Sequence, residues 1–244
     1  MKAGVTTVIA YIGDVRAVCN VTVKEAYDEV VPKLDETGDE AIIINVGEVV
    51  EQINVLCEQS RTPYLNISAG ERESVVLTAE VVRALYAAEG IFDTSTPSGY
   101  LFLDDESLPF LLVGGGDATL RILSTDVDSG LNCVAVVDFA LLDGGSVVPV
   151  QFPSFAELGI KYEMHPWELD DYAVYYIPDS GEPVRMEISG YEDGYVYFYT
   201  DHFSTYALVY EGSDHPAVDV IGVLIGILLV LVPLTAVVGI EYAR

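Results

Sequence analysis

Apolar and polar positions alternate with period two at the start of the chain. Val5, Thr7, Ile9 and Tyr11 form one series; Val15, Ala17, Cys19, Val21 and Val23 form a second, with Gly13-Asp14 between them. That alternation predicts a β-hairpin. Residues 24–40 are charged and hold Pro32 and Gly38, the pattern of a linker with one loose element. Ala41–Val46 reads as a short strand. Over Glu48–Gln59 the period changes, and Val49, Val50, Ile53, Leu56 and Cys57 fall on one helical face. Pro63–Ser68 returns as a strand.

Two similar blocks follow at an offset of 26, Val75–Leu85 and Leu101–Leu111. In each, a strand ends at a leucine and a helix N-cap residue follows, Thr78 or Asp104. Gly90 closes the first helix and Gly114-Gly115-Gly116 the second, while Pro109 shortens the second. Ile91–Thr96 and Ala118–Leu123 are the strands that follow them. This is a twofold strand–helix–strand repeat. From residue 131 onward the pattern is all strand: Val134–Leu141, Val147–Phe152, Tyr172–Ile177, Val184–Ile188, Tyr195–Thr200 and Thr205–Tyr210. Turns fall at Asp143-Gly144-Gly145, Asp179-Ser180-Gly181 and Asp193-Gly194. Short strands at this spacing predict a sandwich.

Residues 220–240 break with everything before them. The run VIGVLIGILLVLVPLTAVVGI is 21 residues long, uncharged, and has Thr235 as its sole polar side chain. At ~1.5 Å per residue it reaches ~31 Å as a helix, one hydrocarbon core. Glu211, Asp214 and Asp219 precede it and Arg244 follows it, which favours a cytoplasmic C-terminus and an outside body. Gly222 and Gly226 give the span a small-xxx-small pair suited to self-association. At the other end, Lys2 and the apolar residues after it imitate a secretory leader, but Gly13, Asp14 and the lack of a small-x-small site favour a strand. The expectation is a C-terminal piece of a longer secreted protein, or a start other than Met1.

Composition narrows the function classes. Of 244 residues, 11 are Lys or Arg and 39 are Asp or Glu, a net charge of −28. That balance excludes nucleic acid as a partner, because a phosphate backbone needs basic counter-charge. Hydrophobics at 51%, with 16 Tyr and 8 Phe, exclude a disordered acidic tail. Three cysteines are too few for a disulfide-built scaffold. Cys19, Cys57 and Cys133 are expected to be buried free thiols, with one disulfide as the alternative.

Two segments carry resemblances. GDVRAVCNVTVKEA (residues 13–26) resembles the closing strand of a bacterial Ig-like domain of the group 2 type. GYEDGYVYFYTDHFSTYALVYEG (190–212), preceded by DDYAVYYIPDSGEPV (170–184), is similar to the closing module of large prokaryotic cell-surface proteins, including methanogen ones. With the twin blocks, this second likeness spans 45–211. It implies Ig-like repeats upstream, a membrane anchor downstream and a cell-surface location; it implies no catalysis.

Candidate chemistry is sparse. Asp201, His202 and Ser204 have the residue types of a hydrolytic triad, but neighbours on a strand point to opposite faces, so Asp201 is expected to face away from His202. The expectation is a structural corner in which His202, Phe203, Ser204 and Tyr206 pack and satisfy backbone groups. Asp126, Asp128 and Asn132 resemble the start of a calcium loop, but position twelve is Val137, where an EF-hand needs a carboxylate. Weak calcium binding is weighed there against a solvated acidic turn. Asn20-Val21-Thr22 and Asn66-Ile67-Ser68 are glycosylation sequons. Gly114-Gly115-Gly116 lacks the Lys and Ser/Thr of a phosphate loop and reads as a turn.

The resulting expectation is an α+β, β-rich chain: a strand–helix–strand repeat plus a sandwich-like module, with one C-terminal transmembrane helix. Its parts are an Ig-like hairpin (1–25), a linker (26–40), an α/β repeat region (41–125), a β-rich module (126–211), a tether (212–219), the span (220–240) and a tail (241–244). The function expected is that of a non-catalytic, membrane-anchored surface protein, structural or adhesive. It has no cofactor; its partners are the bilayer and other surface proteins or glycans. The rivals are a surface carbohydrate-active hydrolase and a tail-anchored cytosolic adaptor.

Overall fold

The computed structural model describes residues 4–12, 15–23, 27–35, 37–112, 115–127 and 130–212. The expected hairpin is present: β1 (Gly4–Ile12) and β2 (Val15–Val23) pair antiparallel from Gly4↔Val23 to Ile12↔Val15, a two-stranded sheet of their own. The next elements are β3 (Asp28–Val30), β4 (Leu34–Asp35), β5 (Ala41–Ile43), α1 (Val46–Glu58), β6 (Pro63–Ser68), β7 (Ser74–Leu77), α2 (Ala79–Ala87), β8 (Ile91–Ser95) and β9 (Gly99–Leu103). The remainder are β10 (Ala118–Ser124), β11 (Cys133–Asp143), β12 (Ser146–Val148), β13 (Gln151–Lys161), β14 (Tyr172–Ile177), β15 (Val184–Met186), β16 (Ile188–Glu192), β17 (Tyr195–His202) and β18 (Thr205–Tyr210).

These strands make two mixed sheets. Sheet one runs β15-β14-β18-β11-β10-β7-β5-β4, with β12 hairpinned onto β11; sheet two runs β16-β17-β13-β9-β8-β6-β3. The described residues are thus β-rich with two α-helices, a sandwich-like α+β arrangement. The chain changes sheet at most of its connections. Helix α1 carries it from β5 in sheet one to β6 in sheet two, and α2 carries it from β7 to β8 in the same sense. Each helical crossing returns the next strand in the same direction, so β5 lies parallel to β7, and β3, β6 and β8 are parallel neighbours. After β8 every pairing is antiparallel.

The twin blocks fare unequally. Val75–Leu85 becomes β7 and α2, and Thr78 caps α2 by accepting the Val81 amide at 3.4 Å. In Leu101–Leu111 the strand end is Leu103 of β9, but in place of a helix a 3-10 turn forms at Leu108–Leu111, since Pro109 removes a donor in its first turn. Gly90 does follow α2, but the left-handed residue is Glu89, at φ 49°. Gly90 is needed for space: a Cβ there would meet Leu85 Cδ2 at 3.0 Å and the Pro63 carbonyl oxygen at 3.1 Å. Residues 27–35, expected as linker, supply β3 and β4 at the ends of the two sheets. Segments 41–125 and 126–211, separated by pattern, share both sheets and one core. β9 pairs with β13 and β10 with β11.

That core lies between the sheets. Leu65, Ile67, Phe92, Leu101, Leu103, Leu158, Ile160 and Phe198 point inward from sheet two; Val75, Leu77, Leu120, Ile122, Phe139, Leu141 and Leu208 meet them from sheet one. Val49 and Ile53 of α1, and Val81, Val82 and Leu85 of α2, bury their apolar stripe in the same cluster. Cys57, expected on that face, is exposed, because it lies at the edge of the stripe in the last turn of α1. Buried threonines join the sheets: Thr96 Oγ1 donates to the Ile122 carbonyl at 3.1 Å. Among the described residues no helix is long and apolar enough to cross a membrane. Residues 220–240 lie outside the described residues.

The sheets approach closely at Gly99. A Cβ there would lie 2.8 Å from the Gly159 carbonyl oxygen, 2.8 Å from Ile122 Cγ2 and 3.2 Å from Phe139 Cζ. Gly99→Ala should therefore force the packed layers apart and lower unfolding stability by about 1–3 kcal/mol in urea titration.

Candidate functional site

The corner between β17 and β18 gathers the residues singled out above. Tyr206 is fully buried; its hydroxyl donates to the His202 carbonyl at 2.9 Å and lies 2.7 Å from Thr200 Oγ1. A tyrosine bonding back to backbone four residues upstream at a sheet-to-sheet corner is the device known as a tyrosine corner. Burial pushes its phenol pKa up. Phe203 packs edge-on against Phe152, with ring centroids 4.9 Å apart. Ser204 contributes its carbonyl, which accepts the Phe139 amide at 3.0 Å.

Asp201 does not face away from His202: its Oδ1 is 2.7 Å from His202 Nδ1. The pleat argument fails because His202 is the last residue of β17, opposite a bulge where pairing slips between Gln151 and Ala156. That hydrogen bond, foremost, holds the Asp201 carboxyl below its usual range. The relay stops there. His202 Nε2 is enclosed and makes no hydrogen bond, and the ring lies edge-on to Tyr176 at 4.7 Å.

The calcium candidates separate. Asp126 and Asn132 are exposed, and Asp128 lies outside the described residues. The loop instead serves the sheet beneath it. The Asn132 carbonyl accepts the Tyr210 amide at 3.2 Å, and Leu131 packs over Val136, Ala207 and Val209 on the outer face of sheet one. Among the described residues no three His, Cys, Asp or Glu side chains gather as a metal site. Asn20 lies in β2, and the Asn66 side chain is exposed on β6. Cys57 and Cys133 are free thiols, the latter half-buried. A groove of about 440 Å³ between β3 and α1 is lined by Glu29, Glu48, Glu51 and Gln52. Its polar walls already serve packing: Glu48 pairs with Lys33 at 3.1 Å, and Gln52 accepts the Val31 amide at 3.2 Å.

The most organised polar surface is the outer face of sheet two. Strand register aligns Asn66, Asp93, Phe102, Glu157 and Tyr199 in one row, and Ser68, Ser95, Tyr100, Gly159 and Tyr197 in the next. At its centre Asp93 is only 4% exposed. Its Oδ2 accepts the Tyr64 phenol at 2.5 Å and the Tyr100 phenol at 2.9 Å, while Asn66 donates to the Tyr64 oxygen at 3.2 Å. Beside it the rings of Tyr100 and Tyr197 meet edge-on at 5.5 Å, and Lys161 Nζ sits 4.5 Å above the Tyr195 ring. Gly159 makes room for this: a Cβ there would crowd Tyr100 Cβ at 3.1 Å and Tyr197 Cε1 at 3.2 Å. The period-two series Tyr195, Tyr197 and Tyr199 is a local signal of one face. Its partners on β6, β8, β9 and β13 emerge only from register.

Burial, then the Asp93 carboxylate, raises the Tyr64 phenol to about 12; burial and Glu157 raise Tyr197 and Tyr199 to about 12. Because the folded values exceed the ordinary 10.0, the neutral phenols stabilise the fold fully below pH 10.0. That contribution is lost as pH rises through the folded values. Melting temperature should accordingly fall steeply between about pH 10 and 12, as tyrosinate absorbance rises. At the corner, Tyr206→Phe should cost about 1–2 kcal/mol, as it strips Thr200 and the His202 carbonyl of a buried partner. His202→Ala should cost about 1–3 kcal/mol, mainly lost packing on Tyr176. Thermal and urea melts measure both. No known family, curated protein or solved structure matches the chain, so its functional reading rests on these residues themselves.

Proposed function

We propose that this protein is a non-catalytic, membrane-anchored cell-surface module, structural or adhesive, with its folded body outside. The observation that carries this reading is the uncharged run of 21 residues, 220–240, which follows the last described strand, ending at Tyr210, by way of a short acidic segment. The resemblance of 190–212 to closing modules of prokaryotic surface proteins supports the same location, as does that of the first hairpin to the end of an Ig-like domain. A net charge of −28 keeps such a body soluble and off anionic headgroups.

The hydrolase reading draws on Asp93 and Glu157, two carboxylates on one face with Phe102 between them in register. Enclosure of Asp93 under two phenols favours a structural role over acid catalysis. The cytosolic-adaptor reading differs only in topology.

Deleting residues 220–244 should move the protein from the membrane pellet to the soluble fraction with an unchanged melt. Protease added to intact cells should digest the body and leave a short C-terminal fragment. A body that pellets without the span, or becomes digestible only after lysis, contradicts the anchored, outside reading.

A further inference from the structure

We propose that the outer face of sheet two is a binding platform for neutral saccharide chains; the proposal deepens the adhesive reading above and rests on it. Three features carry it. The first is composition: Tyr64, Tyr100, Tyr195, Tyr197 and Tyr199 cover strands β6, β9 and β17, with Asn66, Asp93 and Glu157 interleaved. Aromatic rings offer broad apolar surface at small entropic cost, and the polar tips between them can meet hydroxyls. A pyranose presents that combination, with C–H faces for the rings and hydroxyls for the carboxylates and amide.

The second feature is accessibility. Tyr199 is 50% exposed although it sits mid-strand on a paired β17. On the opposite sheet the outward Ala207 and Val209 are covered by the chain's own Leu131. The rings on sheet two are held by one another, tilted or edge-on: Tyr100 contacts Tyr195 at 6.0 Å and Tyr197 at 5.5 Å. A platform pre-ordered in this way loses little side-chain freedom on binding.

The third is charge. Glu29, Asp93 and Glu157 face this side, and Lys161 is engaged over Tyr195 and with the Asp193 carbonyl. The acidic potential excludes sulfated, sialylated or phosphorylated chains. A cationic peptide is disfavoured because the carboxylates are already met by phenols: Asp93 by Tyr64 and Tyr100, Glu157 by Tyr199. Glu157, half-buried beside the exposed Tyr199, and the exposed Asn66 amide suit sugar hydroxyls more than a strongly hydrated ammonium.

The experiment is affinity electrophoresis of the full chain in detergent micelles through gels holding a mannan, a galactan or a β-glucan, with dextran sulfate and oligolysine as charged probes. At least one neutral polysaccharide should retard the protein. Tyr199→Ala and Tyr197→Ala should weaken that retardation about tenfold or more, the loss of a ring contact. Tyr86→Ala, at an exposed tyrosine of α2, should leave it unchanged. Half of the Tyr199 ring is already in solvent, so that variant keeps its melt even if Tyr197→Ala does not fold. No retardation by any neutral polysaccharide, retardation equal in Tyr199→Ala, or binding only to dextran sulfate or oligolysine would overturn the proposal. Membrane fractionation of the same preparation reads anchoring separately: a pelleting protein without retardation sinks the platform and leaves the anchored reading standing.

Discussion

A phenol with no solvent exposure must find its hydrogen bonds inside the protein, and the fold is arranged around the one at Tyr206. Its hydroxyl ties Thr200 and the His202 carbonyl to the start of β18, which spans the change of sheet in two residues, Phe203 and Ser204. β17 pairs with β13 and β16, and β18 with β11 and β14, so this short crossing sets the separation of the two layers toward one end of both sheets. Phe198 from one layer and Phe139 from the other meet the Tyr206 ring, at 4.8 and 6.0 Å. Close approach at Gly99, beside Phe139, belongs to the same geometry.

What the sequence reveals of this follows from how local each signal is. Pro63–Ser68, Tyr172–Ile177 and Thr205–Tyr210 are strands with the bounds expected, because clean alternation sits between strong punctuators. The Gly144-Gly145 and Asp193-Gly194 turns are positive-φ hairpins, as their residues demand. β13 is illegible beyond Phe152, since Pro153 and Gly159 interrupt its alternation; both are tolerated, one next to a bulge and one under tyrosine rings. β3 and β4 are too short to show any period. Which strand joins which sheet depends on pairings distant in sequence, such as Glu157 with Phe102, and no local pattern encodes that. The Asp201–His202 contact escapes the pattern for a related reason: regular strand geometry does not hold at the residue where the strand ends.

The two outer faces show different solutions to covering a sheet. Sheet one carries aliphatic residues outward at Val136, Ala207 and Val209, and the chain uses its 130–132 loop and Tyr175 to hide them. A polar pair on this face, Arg121 and Asp138, meets at 2.9 Å and is closed by Thr205 at 3.1 Å. Sheet two needs no cover, because phenols and carboxylates satisfy one another while keeping ring area in contact with water. The tyrosine excess and the acidic excess of the composition are therefore linked. Phenols donate where the carboxylates accept, as Tyr64 and Tyr100 do to Asp93, which is 4% exposed.

Under the anchored reading, force from the membrane enters the sandwich where the chain leaves it, just after Tyr210. That exit is reinforced. Glu211 accepts the Tyr175 phenol at 2.5 Å and Arg185 at 3.1 Å, and the amides of Glu211 and Gly212 donate to the Asp171 carbonyl at 2.8 and 2.9 Å. The Tyr175 bond first, and Arg185 second, hold the Glu211 carboxyl below its usual range. These contacts bind the exit to β14 and β15, so a pull does not peel Tyr210 away from its neighbours one bond at a time. The load is shared along β18, which is hydrogen-bonded on both sides and anchored inward by Tyr206 and Leu208. A strand loaded along its length between two partners resists as a set of bonds acting together, and β18, the last described strand, lies between β14 and β11.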